Sequence, residues 1–105
     1  MVLENREGRL SIPFSHIYYL EVREKRVFVR LKEKEYSKYD TLEHMIQELP
    51  EGFIRCHRSF VVNGQCISRV KLSENCIYLA DDIQVPLSRS YKAAIKEYMD
   101  GLRRV

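Results

Sequence analysis

The sequence predicts a mainly β fold with two α-helices and mostly antiparallel sheets. Three observations carry that expectation. Apolar and polar residues alternate with period two in several short windows, and only two windows carry helical spacing. No helix-length crossover recurs between the strand-like windows, as parallel pairing would require.

The elements follow in order. Leu10, Ile12 and Phe14 alternate with Arg9, Ser11 and Pro13, the pattern of a half-buried strand. Residues 17–22 form a second apolar and aromatic run, after a break at Ser15 and His16. Val27, Val29 and Leu31 alternate with Arg26, Phe28, Arg30 and Lys32, a third strand, and Arg23, Glu24 and Lys25 form a charged hairpin loop before it. A weak fourth strand covers residues 35–38. Leu42, Met45, Ile46 and Leu49 then fall on one face of a short helix. Asp40 or Thr41 caps it, Glu43 stands three residues after Asp40 as in a capping box, and Pro50 and Gly52 end it.

Strands resume with residues 53–57, 67–72 and 76–79, the last two separated by the turn residues Ser73, Glu74 and Asn75. Ile83, Val85 and Leu87 alternate with Gln84, Pro86 and Ser88. Pro86 cannot donate to a ladder, which marks an edge strand. Tyr91, Ala94, Ile95, Tyr98, Met99 and Leu102 form the apolar stripe of a closing helix. Ser88 or Ser90 offers its cap, and Arg103 and Arg104 suit the negative end of its dipole.

Composition narrows the function classes. The 105 residues suffice for a single domain, here 1–105. Charged residues make up 31% and hydrophobic ones 45%, which argues against disorder. Eighteen Lys and Arg against 15 Asp and Glu give a formal charge of +3. That permits an anionic partner without demanding one, and it excludes a polybasic coat. The polar start suggests no signal peptide, and no apolar run approaches the ~20 residues of a membrane helix. Cys56, Cys66 and Cys76 are odd in number, which suits reduced thiols in a cytoplasmic protein.

No enzyme signature stands out. There is no Gly-rich phosphate loop, HExxH or GxSxG. His44 falls on the solvent side of the short helix. Cys56 and His57 are adjacent, so on a strand they point to opposite faces and do not share a metal. The pairs Glu33 with Glu35 and Asp81 with Asp82 read as solvated loop carboxylates. The expectation is no catalytic residue, no metal and no cofactor.

The sharper signal lies elsewhere. Phe53, Arg55, His57, Arg58, Ser59, Phe60, Val62 and Asn63 form one motif. Val85, Pro86, Leu87, Ser88, Arg89 and Tyr91 form another, and residues 17–21 (IYYLE) a third. In this order the three resemble the LytTR family of bacterial DNA-binding domains, over a core of about residues 8–102.

The resemblance implies an elongated arrangement of small antiparallel β-sheets flanked by a short central helix and a C-terminal helix. It implies a transcriptional regulator that reads double-stranded promoter DNA with loops in successive major grooves, as the output domain of a two-component response regulator. A receiver domain has no room here, so the chain is expected to be a fragment or a stand-alone output domain. Two copies are expected on adjacent repeats.

The same resemblance gives roles to residues. Arg89, on a loop between the Pro86 strand and the last helix, and Arg58, after a short strand, match base-reading positions. Lys25 is the base reader of the first hairpin loop and Arg26 its phosphate partner. Chemically, Arg suits the paired O6 and N7 acceptors of guanine. Arg55, Ser59, Ser88 and Lys92 flank these readers and suit phosphate, Lys92 from the first turn of the last helix. His57 and Asn63 read as structural, and Tyr18, Tyr19, Tyr36 and Tyr39 as packing rather than a base-stacking platform. Oxidation of Cys56, inside the first motif, would disturb Arg58. The rival reading is a β-rich protein-interaction module docking partners along an edge strand at residues 83–87.

Overall fold

The computed structural model describes residues 1–102 and measures 40 × 28 × 26 Å. Arg103 and Arg104, and the side chain of Leu102, lie outside the described residues. Ten strands form three antiparallel sheets. The first is a hairpin of β1 (Val2–Asn5) and β2 (Gly8–Ser11). The second has five strands: β3 (Tyr19–Arg23), β4 (Arg26–Arg30), β5 (Glu35–Tyr39), β6 (Phe53–His57) and β7 (Phe60–Asn63). Their spatial order is β5-β4-β3-β7-β6. The third holds β8 (Ile67–Lys71), β9 (Cys76–Leu79) and β10 (Gln84–Pro86) in the order β10-β9-β8. Helix α1 (Leu42–Ile46) connects β5 to β6, and α2 (Lys92–Leu102) closes the chain.

The five-stranded sheet separates two cores. On one face Leu20, Val27, Val29 and Val61 pack with Leu3 of the first hairpin, with Ile12 just after it and with Leu42 and Met45 from α1. On the other, Tyr19, Cys56 and Val62 meet Ile77, Leu79 and Val85 of the third sheet and Ile95 of α2. Adjacent residues of β3 and β7, Tyr19 with Leu20 and Val61 with Val62, therefore serve opposite cores. Their period of two makes these the strands buried on both faces.

Several expectations change in detail. The segment read as a polar start contains β1, which buries only Leu3. One apolar residue leaves no periodicity to read. The first expected strand stops at Ser11, because Pro13 cannot extend a ladder, and Phe14 enters a 3-10 turn (Phe14–His16). Strand β7 lies within the first motif, where no separate strand is expected from alternation. Pro86 does lie on an edge strand.

Helix α1 is capped by Thr41, whose side chain accepts from the His44 amide at 3.1 Å. The box expected between Asp40 and Glu43 is not made. Asp40 instead accepts from the Thr41 amide at 2.7 Å, from Lys38 at 3.0 Å and from His44 Nδ1 at 3.0 Å. Its α-helical part is also shorter than the apolar stripe. The Gln47, Glu48 and Leu49 amides bond three residues back instead of four, tightening the chain ahead of Pro50. At the start of α2, Ser88 makes no side-chain cap; residues 89–91 form a 3-10 turn that leads into the helix.

Glu35 and Asp81 are more engaged than solvated loop residues. Glu35 lies in β5 and pairs with Arg23 at 2.7 Å. Asp81 accepts from the Tyr18 hydroxyl, which ties the third sheet to the start of β3.

Buried polar and small residues set the remaining joints. Asn63 donates to the Ile17 carbonyl at 2.9 Å and accepts from the Gln65 amide at 3.1 Å, the structural role expected of it. Gly64 is buried under the Tyr98 ring of α2, and a Cβ there would overlap that ring. Cys56 is fully buried, and burial pushes its thiol up to about 12 despite nearby Arg55.

Three outcomes follow. Gly64→Ala must displace Tyr98 from α2 docking and should cost about 1–3 kcal/mol in urea unfolding; an unchanged midpoint would show that the ring swings aside freely. Thiol titration of the native protein should leave Cys56 unlabelled until the chain unfolds, so mild peroxide should not act through it. Burial of Asp40 opposes ionisation, yet the bonds from Thr41, Lys38 and His44 outweigh it and hold its carboxyl below the usual range. A depressed folded-state value adds stability above the unfolded value of about 4 and loses it as pH falls further. The stability gap between wild type and Asp40→Asn, measured by thermal melting, should therefore be present at pH 7 and close in acid.

Candidate nucleic-acid interface

The sheet register decides where the sequence-selected cations lie. In the β3–β4 hairpin Arg23 opposes Arg26, which leaves a two-residue turn of Glu24 and Lys25. Glu24 takes a positive φ of 56°, in keeping with the primed turns that suit strand twist. In the β6–β7 hairpin His57 opposes Phe60, so Arg58 and Ser59 form the turn. Strands β3 and β7 are adjacent and antiparallel, with Glu21 opposite Phe60, and the Val22 amide donates to the Ser59 carbonyl at 2.9 Å. Both hairpin tips therefore occupy one end of the sheet. At a strand spacing of about 4.8 Å their midlines are roughly 10 Å apart.

The third segment joins them from the other side. The Ser88 amide donates to the Cys56 carbonyl at 2.9 Å, next to the β6–β7 turn. That bond docks the connection from β10 to α2 on the same end of the sheet. Arg89 is exposed in the 3-10 turn that follows, and half-buried Lys92 begins α2. Lys25, Arg58 and Arg89 are thus brought together, although 64 positions separate the first from the last.

The cations divide into free and committed groups. Among the described residues, Lys25, Arg58, Arg89 and Lys92 enter no ion pair, while Arg23, Lys38, Lys71 and Arg55 do. Arg26 donates to Ser37 Oγ at 3.1 Å, and its guanidinium lies 4.1 Å from the Tyr39 ring centroid. Arg55 donates from Nε to the His57 carbonyl at 2.9 Å and from its terminal nitrogen to the Arg58 carbonyl. Ser59 and Ser88 both have their amides bonded, Ser59's to His57 Nδ1 at 3.1 Å. His57 therefore braces the turn, its ring edge-on to Phe60, the structural role expected of it.

Tyr39 was not singled out as a site residue. It is 71% exposed at this same end, directly across from Arg26. Only the β4–β5 register places it there, and no local motif announces that register. The other tyrosines form no stacking platform: Tyr19 is buried and Tyr36 packs against the first core. Among the described residues no group of His, Cys, Asp and Glu is arranged to hold a metal ion, and no helix is long and apolar enough to cross a membrane.

Comparison with known proteins agrees with this architecture. The family model of the LytTr DNA-binding domain matches residues 7–100. The transcriptional regulatory protein YpdB of Escherichia coli K12 is 34% identical over 98 residues, covering 89% of this chain and 40% of the relative. The sensory transduction protein LytT of Bacillus subtilis is 30% identical over 103 residues, covering 94% of this chain and 43% of the relative. The chain thus spans about two fifths of these curated relatives. A solved LytTr DNA-binding domain of a response regulator from Bacillus cereus superposes with a TM-score of 0.82 at 29% identity, covering 94% of both chains. With a family model over nearly its whole length and the same three-sheet architecture, the chain belongs to the LytTR family of DNA-binding domains.

Proposed function

We propose that this domain binds duplex DNA sequence-specifically, as the output module of a bacterial transcriptional regulator. One observation carries the reading: three cation-bearing segments, distant in sequence, meet at one end of the central sheet, and among the described residues Lys25, Arg58 and Arg89 have no carboxylate partner. Arg89 and Arg58 read bases, the Arg fork matching guanine O6 and N7. Lys25 is the third reader. Arg26, Ser59, Ser88 and Lys92 hold phosphates, Lys92 together with the first amides of α2.

These readers would enter the major groove from this one end of the sheet. Two copies would sit on adjacent repeats of a promoter. The relatives named as a transcriptional regulator and a sensory transduction protein are longer than this chain, and in the full protein a receiver domain would gate the output. Strand addition along residues 83–87 is less favoured. Strand β10 is only three residues long, and its Pro86 cannot donate along the free edge.

Sequence preference can be read by mobility shift on duplexes that the wild-type domain selects from a randomised pool. Arg89→Ala should cost about 1–3 kcal/mol on the selected duplex and relax preference at one position. Lys34→Ala, in the β4–β5 loop away from this end, should bind as wild type. Wild-type affinity should fall linearly in log–log form as salt rises. An Arg89→Ala domain with unchanged preference would remove Arg89 from the reading set.

A further inference from the structure

We infer that Arg55 is a positioning residue for Arg58 and holds no phosphate itself. This rests on the reading of Arg58 as a base contact. The geometry is a clamp. Arg55 lies two residues before the turn, and its guanidinium donates to the carbonyls of both His57 and Arg58. The ladder register shifts between Arg55 and His57, just ahead of these two carbonyls. A planar fork with fixed N–H directions suits two neighbouring carbonyls.

The clamp is also electrically occupied. Glu43 of α1 lies 3.7 Å from the same terminal nitrogen, and the Arg55 side chain is only 21% exposed. A phosphate approaching Arg55 would meet that carboxylate and would have to displace two carbonyl bonds. Meanwhile His57 Nδ1 accepts the Ser59 amide, so the turn is held by a side chain on either side of Arg58. A loosely held turn would spread the Arg58 fork over many directions, and bidentate base contact needs one.

Lysine separates the two roles, because it keeps the charge and loses the fork. The probes are the duplex selected by wild type and a mixed-sequence duplex of equal length, bound by R55K, R58A and the double variant. R55K should lower the ratio of selected to mixed affinity about tenfold. The slope of log affinity against log salt should stay at the wild-type value on the mixed duplex. In the R58A background R55K should add little further loss. R55K with wild-type discrimination, or Arg55→Gln with a slope shallower by about one phosphate and discrimination intact, would overturn the inference.

Should R55K fold poorly, wild type carries the test by NMR. The Arg55 Nε–H signal should keep its shift and exchange protection when the selected duplex is added; contacts from it to DNA would overturn the inference. The failures are distinguishable. A wild-type domain that selects no sequence defeats the DNA reading itself. Selection lost in R58A but kept in R55K defeats only the clamp.

Discussion

The pairing of β3 with β7 is the constraint on which the rest depends. It joins a hairpin from the first third of the chain to one from the second half, with Leu20 opposite Val61 and Tyr19 opposite Val62. Leu20, Val61 and Val62 have no exposed surface, and Tyr19 has little. Full burial of an aliphatic side chain contributes roughly 1.5–3 kcal/mol, so this seam is strongly specified. A slip of one residue would exchange the two cores. The antiparallel sense of the same pairing sets the Glu24–Lys25 turn and the Arg58–Ser59 turn at one end of the sheet.

Held at that end, the basic side chains follow a division of labour. Some build the platform: Arg23 pairs with Glu35 and lies 3.6 Å from the Phe28 ring centroid, and Arg55 bonds the turn carbonyls. Others project from it unpaired. Net charge of +3 is too small to draw the protein to any polyanion without help from placement. What matters is that the unpaired cations sit on short, braced turns, where little conformational entropy remains to be lost on binding. Asp40, the carboxylate at the end of β5, pairs with Lys38 at 3.0 Å, so it detracts little from the local field.

Much of the architecture was legible in the residues, for stated reasons. Alternation marked the strands with several apolar positions, and the stripes through Met45 and Ile95 marked both helices. Elements with one buried residue, such as β1, left no period to detect. Cap geometry was half legible: Thr41 caps α1, but Asp40 spends its oxygens on Lys38, His44 and the Thr41 amide. For the proposed interface, motif resemblance singles out Arg58 and Arg89. That Lys25 lies at their end depends on the antiparallel β3–β7 pairing, and that Tyr39 stands beside Arg26 depends on the β4–β5 register. Neither follows from local pattern. The occupied state of Arg55 is a matter of three partners within 3.7 Å, which no one-dimensional motif records.

One end of the five-stranded sheet is proposed as the DNA-binding surface. Amide chemical-shift mapping during titration with a selected duplex tests it most directly. The largest shifts should cluster in residues 24–26, 57–59 and 88–92, with small changes at the opposite end, in residues 14–16, 32–34 and 63–66. Shifts concentrated in that opposite group, with the two hairpin turns and the Arg89 segment unmoved, would contradict it.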